Sequence, residues 1–179
     1  MHQDIKEIFV TEQEIVEITK RLGSEISADY ENKQPILVGL LNGCVPFYAE
    51  LIKNITVMME FDFMDVKSYE GTQSVGEVKI KKDLSHDVKN RHIIIVDDII
   101  DTGKTLALIV KLLKERGAAS VEVATLLNKP AGRIDDTVNP KYIGHEIENQ
   151  FVVGFGLDYD GYYRNLPYIG ILKECVYKK

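Results

Sequence analysis

The segments Ile36 to Leu41 and Ile93 to Val96 are apolar without alternation, and Val121 to Leu127 reads as another buried strand. Such runs read as strands buried on both faces, the mark of a parallel sheet. Helical spacing separates them. Thr11 with Glu14 forms a capping box, and Val10 with Ile15 the hydrophobic staple outside it. Ile15, Ile18, Leu22 and Ile26 then predict a helix to about Asp29, which Asn32 to Pro35 breaks. A short helix is expected over Pro46 to Lys53. Val57 to Met64 alternates, placing Met59, Phe61 and Phe63 on an apolar face and Glu60 and Asp62 on a polar one. Leu106, Ile109, Val110 and Leu113 share one helical face closed by Gly117. Val78 to Lys82, Lys141 to Ile143 and Phe151 to Phe155 read as further strands. Strand–helix alternation predicts an α/β fold with a mostly parallel sheet. Residues 68–77 are polar, glycine-containing and unpatterned, and are expected to form a mobile loop that acts as a lid. There is no internal repeat.

Composition narrows the class. A chain of 179 residues is most simply one domain, residues 1–179, able to bury roughly 70% of its unfolded surface. It is 45% hydrophobic and 28% charged, ordinary for a soluble globular protein. A net charge of −6 argues against a broad nucleic-acid footprint. Two cysteines, Cys44 and Cys175, are too few for a disulfide framework and suit a reducing cytosol. Met1 leads into a polar, acidic stretch, so no signal peptide is expected, and no run approaches the ~20 residues of a membrane span. The expectation is a cytoplasmic protein without nucleic-acid or membrane partners.

The chemistry concentrates where the Ile93 strand ends. Asp97 and Asp98 arrive at its C-terminal end, where open α/β sheets bind ligands, and Asp101-Thr102-Gly103-Lys104-Thr105 follows and opens a helix. Backbone N–H groups of residues 101–105 form a phosphate pocket, and the threonine hydroxyls add donors. Asp97 and Asp98 can accept from ribose hydroxyls or a hydrated Mg²⁺. Two look-alikes fail. A P-loop needs glycine five positions before Gly103, where Asp98 stands, and no second Asp-Thr-Gly supports an aspartic protease. The plainer reading makes Asp101 a helix N-cap and Asp97 and Asp98 solvated strand-end residues.

A hydrophobic strand, two acids, two aliphatics and Asp101 to Thr105 closely resemble the phosphoribosyl-pyrophosphate (PRPP) signature of type I phosphoribosyltransferases. Further landmarks are similar to the hypoxanthine-guanine phosphoribosyltransferases along nearly the whole chain. These are Phe151 to Tyr159, Tyr162 to Tyr168, the Leu41-Asn42-Gly43-Cys44 loop, Ser68-Tyr69 and Lys129. The resemblance implies the type I phosphoribosyltransferase fold, a twisted, mostly parallel sheet flanked by helices. It also implies a small hood formed by terminal segments, a flexible loop beginning at Ser68 and Tyr69, and a homodimer or homotetramer. It implies Mg²⁺ as cofactor, with Asp97, Asp98 and Asp158 as candidate ligands. PRPP would be held at Asp97, Asp98, Asp101, Thr102, Gly103, Lys104 and Thr105. Pyrophosphate would be held at Asn42, Gly43 and Arg164, whose fork of donors suits it, in a loop that can carry a non-proline cis peptide. Purine contacts fall to Lys129, Phe151, Val152, Leu157 and Asp158. Lys129 would donate to the 6-oxo oxygen and so disfavour adenine. Phe151 would stack on the ring, a contact worth roughly 1–3 kcal/mol in nucleic-acid systems. Val152 would read the base edge through its backbone, and Leu157 would pack on the other ring face.

Two departures stand out. Asn42 occupies a position where the family commonly has lysine, keeping the backbone N–H but removing an ammonium, and Asp97 replaces an acid that is often glutamate. The implied reaction joins hypoxanthine or guanine to PRPP through N9, giving the nucleoside monophosphate and pyrophosphate, with Asp101 as the proton-transfer group at N7. The alternatives are a xanthine-accepting enzyme and a non-catalytic PRPP-sensing regulator. Cys44, lacking an adjacent base, reads as a small packing residue.

Overall fold

The computed structural model describes residues 1–68 and 78–178. The expected lid, residues 68–77 with Tyr69, therefore lies outside the described residues, except for the backbone of Ser68.

The strands are β1 (Ile5–Val10), β2 (Ile36–Leu40), β3 (Glu60–Ser68), β4 (Val78–Lys82), β5 (His92–Ile100), β6 (Ser120–Asn128), β7 (Tyr142–Glu146), β8 (Val152–Val153) and β9 (Ile169–Leu172). The helices are α1 (Glu12–Asp29), α2 (Val45–Ile52), α3 (Lys104–Glu115) and α4 (Glu174–Tyr177), with a 3₁₀ turn at Pro130–Gly132. A six-stranded sheet runs β4-β3-β2-β5-β6-β7, and a three-stranded sheet runs β1-β9-β8. In the large sheet only β3–β4 is antiparallel.

Alternate side chains explain the unbroken apolar runs. Leu37, Ile94 and Val96 join one core with Leu22, Ile26 and Phe47 from α1 and α2. Ile36, Val38, Ile93 and Ile95 join the other, with Leu106, Ile109, Val110 and Leu113 from α3. Each central strand is thus covered on both faces, and the expected α/β architecture with flanking helices is the one observed. At the start of α1, Glu14 N–H donates to the Thr11 hydroxyl and Thr11 N–H to the Glu14 carboxylate, completing the capping box. Gly117, with φ of +85°, ends α3, and the Ala118 and Gly117 N–H groups donate to the carbonyls of Leu113 and Lys114. That pair of bonds is a Schellman motif.

Several boundaries need correction. β1 and β9 were not foreseen, because their pairing joins Ile5 to Leu172 across the length of the chain. The Phe151–Phe155 strand shrinks to Val152–Val153, since Gly154 and Phe155 take positive φ and turn the chain. β3 starts at Glu60, not Val57, and two residues depart from the polarity pattern, Asp62 being 5% exposed and Phe61 56% exposed, while Met59 and Phe63 pack against the core as expected. Asp62 is tolerated inside because it accepts from the N–H groups of Phe63, Ser85 and His86, and His86 Nδ1 and Lys82 Nζ lie at 3.0 and 3.3 Å. Among the described residues, no helix is long and apolar enough to cross a membrane.

Candidate active site

Chain order reverses in the large sheet between β2 and β5. From β2 the chain moves outward to β3, whereas β5 leads the other way to β6 and β7. Loops leaving the C-terminal ends of such a strand pair part from each other and leave a crevice. Here it is a cleft of about 360 Å³, whose lining includes Asn42, Gly43, Asp97, Asp98, Asp101 to Gly103, Thr105, Asp158 and Arg164. Residues more than a hundred positions apart in sequence thus share one wall-to-wall space.

The two acids sit within β5, not beyond its end, because the strand continues through Ile100. Asp98 N–H donates to Asp97 Oδ1 at 3.1 Å and Ile99 N–H to Asp98 Oδ1 at 2.9 Å. Burial raises the pKa of Asp97 well above the ordinary carboxylate value, and the neighbouring Asp98 raises it further. Burial likewise raises Asp98, against the opposing pull of hydrogen bonds and the Arg164 charge. The plainer reading of Asp97 and Asp98 as solvated strand-end residues is therefore not the one that holds. Two adjacent acids, half-buried in the cleft wall, favour a positively charged partner. Gly43 makes room for them: a Cβ at that position would collide with the Asp98 carboxylate.

The phosphate loop is built differently from an ordinary capped helix. Gly103 is the N-cap of α3, with φ of +78° and no side-chain cap bond, so Asp101 is not the cap. A side chain at Gly103 would also meet the Asp135 carbonyl and Arg133. The N–H groups of Thr102, Gly103, Lys104 and Thr105 take no backbone carbonyl among the described residues. They form the unsatisfied donor set that binds anions at helix starts. Thr105 is half-buried in the cleft wall, and Lys104 is exposed beside it.

Arg133 was not picked out from the sequence, yet it braces this loop. Its Nε donates to the Asp101 carbonyl at 3.2 Å, Nη1 to the Val138 carbonyl at 3.2 Å and Nη2 to Asn128 Oδ1 at 2.6 Å. The Thr102 carbonyl accepts from both Ile134 and Asp135 N–H at 3.0 Å. The segment following β6 therefore holds the loop following β5 from below. The available signal was the turn-forming Lys129-Pro130-Ala131-Gly132-Arg133 run immediately after a buried strand.

Lys129 does not line the cleft but reaches it through Asp101, with Nζ 3.5 Å from Oδ2 and only 13% of its side chain exposed. On the opposite wall the Leu41–Asn42 peptide is cis. Cys44 is buried, and burial followed by the nearby Asp97 and Asp98 charges pushes its thiol upward, which suits packing and not nucleophilic attack. Arg164 pairs with Asp158 at 2.6 Å and donates to the Gly156 carbonyl, while Asp158 Oδ2 accepts from Gly161 N–H at 2.8 Å. Gly156 itself lies against the Gly43 carbonyl, which seats the turn after β8 on the Asn42 loop. Val152 and Leu157 are buried beside this turn and Phe151 is 38% exposed; none of the three lines the cleft.

The phosphoribosyl transferase domain family matches residues 6–160, a span that holds the strand, the acid pair and the phosphate loop. The chain belongs to the phosphoribosyltransferase family. Phosphoribosyltransferases similar to it include the hypoxanthine-guanine phosphoribosyltransferase of Streptococcus pneumoniae, 52% identical over 178 residues covering 99% of this chain and 98% of that protein. The hypoxanthine-guanine phosphoribosyltransferase of Streptococcus mutans is 51% identical over 180 residues, covering 100% and 99%. Among solved structures, a hypoxanthine phosphoribosyltransferase from Staphylococcus aureus has a TM-score of 0.96 at 48% identity, covering 100% of this chain and 97% of that one.

Proposed function

We infer that this phosphoribosyltransferase transfers the 5-phosphoribosyl group of PRPP to N9 of hypoxanthine or guanine, giving the nucleoside monophosphate and pyrophosphate in purine salvage. One observation carries the reading beyond the family. Lys129 is held against Asp101 at the mouth of a cleft that joins a phosphate loop, an acid pair and an arginine. O6 and N7 are neighbours on one edge of a 6-oxopurine. A lysine and a carboxylate in contact are suited to meet that edge together.

In this reading the free N–H groups of Thr102 to Thr105, with the threonine hydroxyls, hold the 5′-phosphate. Binding energy from that remote group aligns C1′ for reaction. Asp97 and Asp98 face the ribose, and Asn42, Gly43 and Arg164 take the pyrophosphate. Lys129 donates to O6, Phe151 and Leu157 cover the purine faces, and the Val152 backbone meets the base edge. As the C1′–O bond breaks and N9 attacks, Asp101 accepts the proton at N7.

Mg²⁺ belongs to the same proposal. Asp97 and Asp98 would face one ion and Asp158 a second, all hard oxygen ligands. Among the described residues no cluster of three His, Cys, Asp or Glu side chains forms a complete cage. That fits a cation that retains water and uses one or two carboxylates together with substrate phosphates. When bound it would neutralise charge on the leaving pyrophosphate. Asp158 already serves Arg164 and Gly161, so its share of a metal requires loosening that pair. A homodimer or homotetramer in the cytoplasm completes the reading, and the exposed Met58 and Phe61 offer apolar surface for self-association.

The test is pyrophosphate release with PRPP and Mg²⁺ across hypoxanthine, guanine, xanthine, adenine, uracil and orotate. Release with hypoxanthine or guanine is expected. Release with adenine alone would reject Lys129 as reader of a 6-oxo group. Release with xanthine would extend the substrate range, and none with any base would favour a PRPP-sensing regulator.

A further inference from the structure

Phe151 is already stacked before any base arrives. The Tyr177 ring lies nearly parallel to it, with centroids 4.8 Å apart and planes 19° from parallel. Tyr159 meets the same ring edge-on, at 5.7 Å and 86°. Phe151 still keeps 38% of its surface exposed, so this aromatic group leaves room for one more partner.

Tyr177 is held in place although it stands two residues from the last one in the chain. Lys173, the residue before α4, donates its N–H to the Asp4 carbonyl at 2.9 Å and its Nζ to the Gln3 carbonyl at 2.6 Å. Lys178 closes the other end, pairing with Glu174 at 3.1 Å and donating its N–H to the Glu174 carbonyl at 2.8 Å. Between these anchors Tyr177 packs onto a small cluster around Ile5, Val153 and Leu172. Residues from both ends of the sequence therefore fix its position.

The alternation of β8 defines which side this is. Val153 belongs to the cluster that holds Tyr177, whereas Val152 and Leu157 belong to the main core. Leu157, assigned to the far face of the purine, packs in the main core and not in the cluster that holds Tyr177.

We infer that Tyr177 is a positioning residue for the purine: it backs the Phe151 ring, and the base completes a stack running Tyr177, Phe151, purine, Leu157. The inference rests on the reading that Phe151 stacks on the base. An exposed phenylalanine without a backing ring would lose rotamer freedom when the base binds. One stacked in advance has its plane set and loses less. Offset aromatic pairs also contribute beyond the area they bury. The effect belongs to base binding and product binding. It does not extend to PRPP, whose proposed contacts, Arg164 excepted, are on the loop after β2 and on the stretch from β5 to the start of α3.

The experiment compares Tyr177→Leu, Phe151→Leu and the double variant by steady-state kinetics, with calorimetric titration of inosine monophosphate as a second readout. Tyr177→Leu is expected to raise the hypoxanthine KM and the inosine monophosphate Kd roughly 3- to 10-fold, with the PRPP KM unmoved. Tyr177→Phe should rescue both, because it retains the ring and loses only the hydroxyl. In the double variant the two effects should fall short of additive, as they do for residues acting through one contact. If Phe151→Leu leaves the hypoxanthine KM unchanged, the stacking reading fails and the backing role fails with it. If Phe151→Leu raises that KM and Tyr177→Leu does not, the stacking reading stands and this inference alone is overturned. A lower hypoxanthine KM in Tyr177→Leu would also overturn it, by showing that the tyrosine obstructs the base. A parallel rise in the PRPP KM would mark a general structural loss and reject the specific role.

Discussion

Lys129 Nζ stands 3.5 Å from Asp101 Oδ2, although the two residues immediately follow different strands, β6 and β5. The Lys129 N–H also donates to the Ile100 carbonyl at 2.9 Å, so backbone and side chain both tie the base-reading segment to the phosphate loop. Base binding in the proposed reaction exchanges this ion pair for two contacts to one edge of the purine. Lys129→Ala removes the donor to O6 and leaves Asp101 without its cation. It should raise the hypoxanthine KM about tenfold or more, the scale of a lost charged hydrogen bond, and the PRPP KM much less. Equal losses for both substrates would remove Lys129 from base recognition.

Asp101→Asn keeps the shape of the side chain and removes its capacity to take a proton. The expected result is a kcat lower by ~10²–10⁴ with a modest change in the PRPP KM. Because Gly103 and not Asp101 caps α3, the substitution should not unseat the helix. Thermal melting of the variant checks that point, and unchanged turnover would rule out the proton-transfer role.

Arg133→Met tests the brace beneath the loop. The guanidinium satisfies three acceptors, the carbonyls of Asp101 and Val138 and the side chain of Asn128. A charged donor of this kind typically contributes about 1.5–3 kcal/mol per bond. Methionine fills similar space but offers no donor, so the loop is freed without a large cavity. PRPP KM should rise roughly 5- to 50-fold with a smaller effect on hypoxanthine KM, since the loop is the phosphate anchor and displacement of about an ångström is costly there. A change confined to hypoxanthine would show that Arg133 serves the base side instead.

The parts of this molecule legible in its sequence are those whose causes are local. The Ile93 to Val96 run declared two-sided burial, the Thr11 and Glu14 pair declared a capped helix, and contiguous Asp101 to Thr105 declared a phosphate loop. What escaped reading depended on distant partners. β1 acquires its place only by pairing with β9, 159 and more residues away. Arg133 carries no motif of its own, and its acceptors are defined by where the loop after β5 comes to rest. Asp101 resembled a helix cap until the positive φ of Gly103 moved the helix start to Lys104. Asp62 was misplaced for the same reason: alternation assigned it to a polar face, while its partners came from residues 82–86.

Asp62 yields the last prediction, on stability. Burial works to raise its pKa, but the hydrogen bonds from His86 and from the backbone N–H groups of Phe63, Ser85 and His86 outweigh burial. They hold the carboxyl well below the usual carboxylate range. A depressed folded-state pKa means that ionised Asp62 stabilises the native state. That contribution is complete above the unfolded value of about 4, and it is lost as pH falls toward the folded value. Asp62→Asn leaves the backbone donors at Ser85 and His86 with a weaker acceptor, and Lys82 and His86 without an anion. It should lower unfolding free energy at pH 7 by roughly 2–4 kcal/mol. Urea unfolding of both proteins from pH 7 down to pH 3 supplies the check. The gap between them should hold to about pH 4 and narrow below it. A gap that stays constant to pH 3 would mean that the carboxylate charge is not what holds the 82–86 segment on β3.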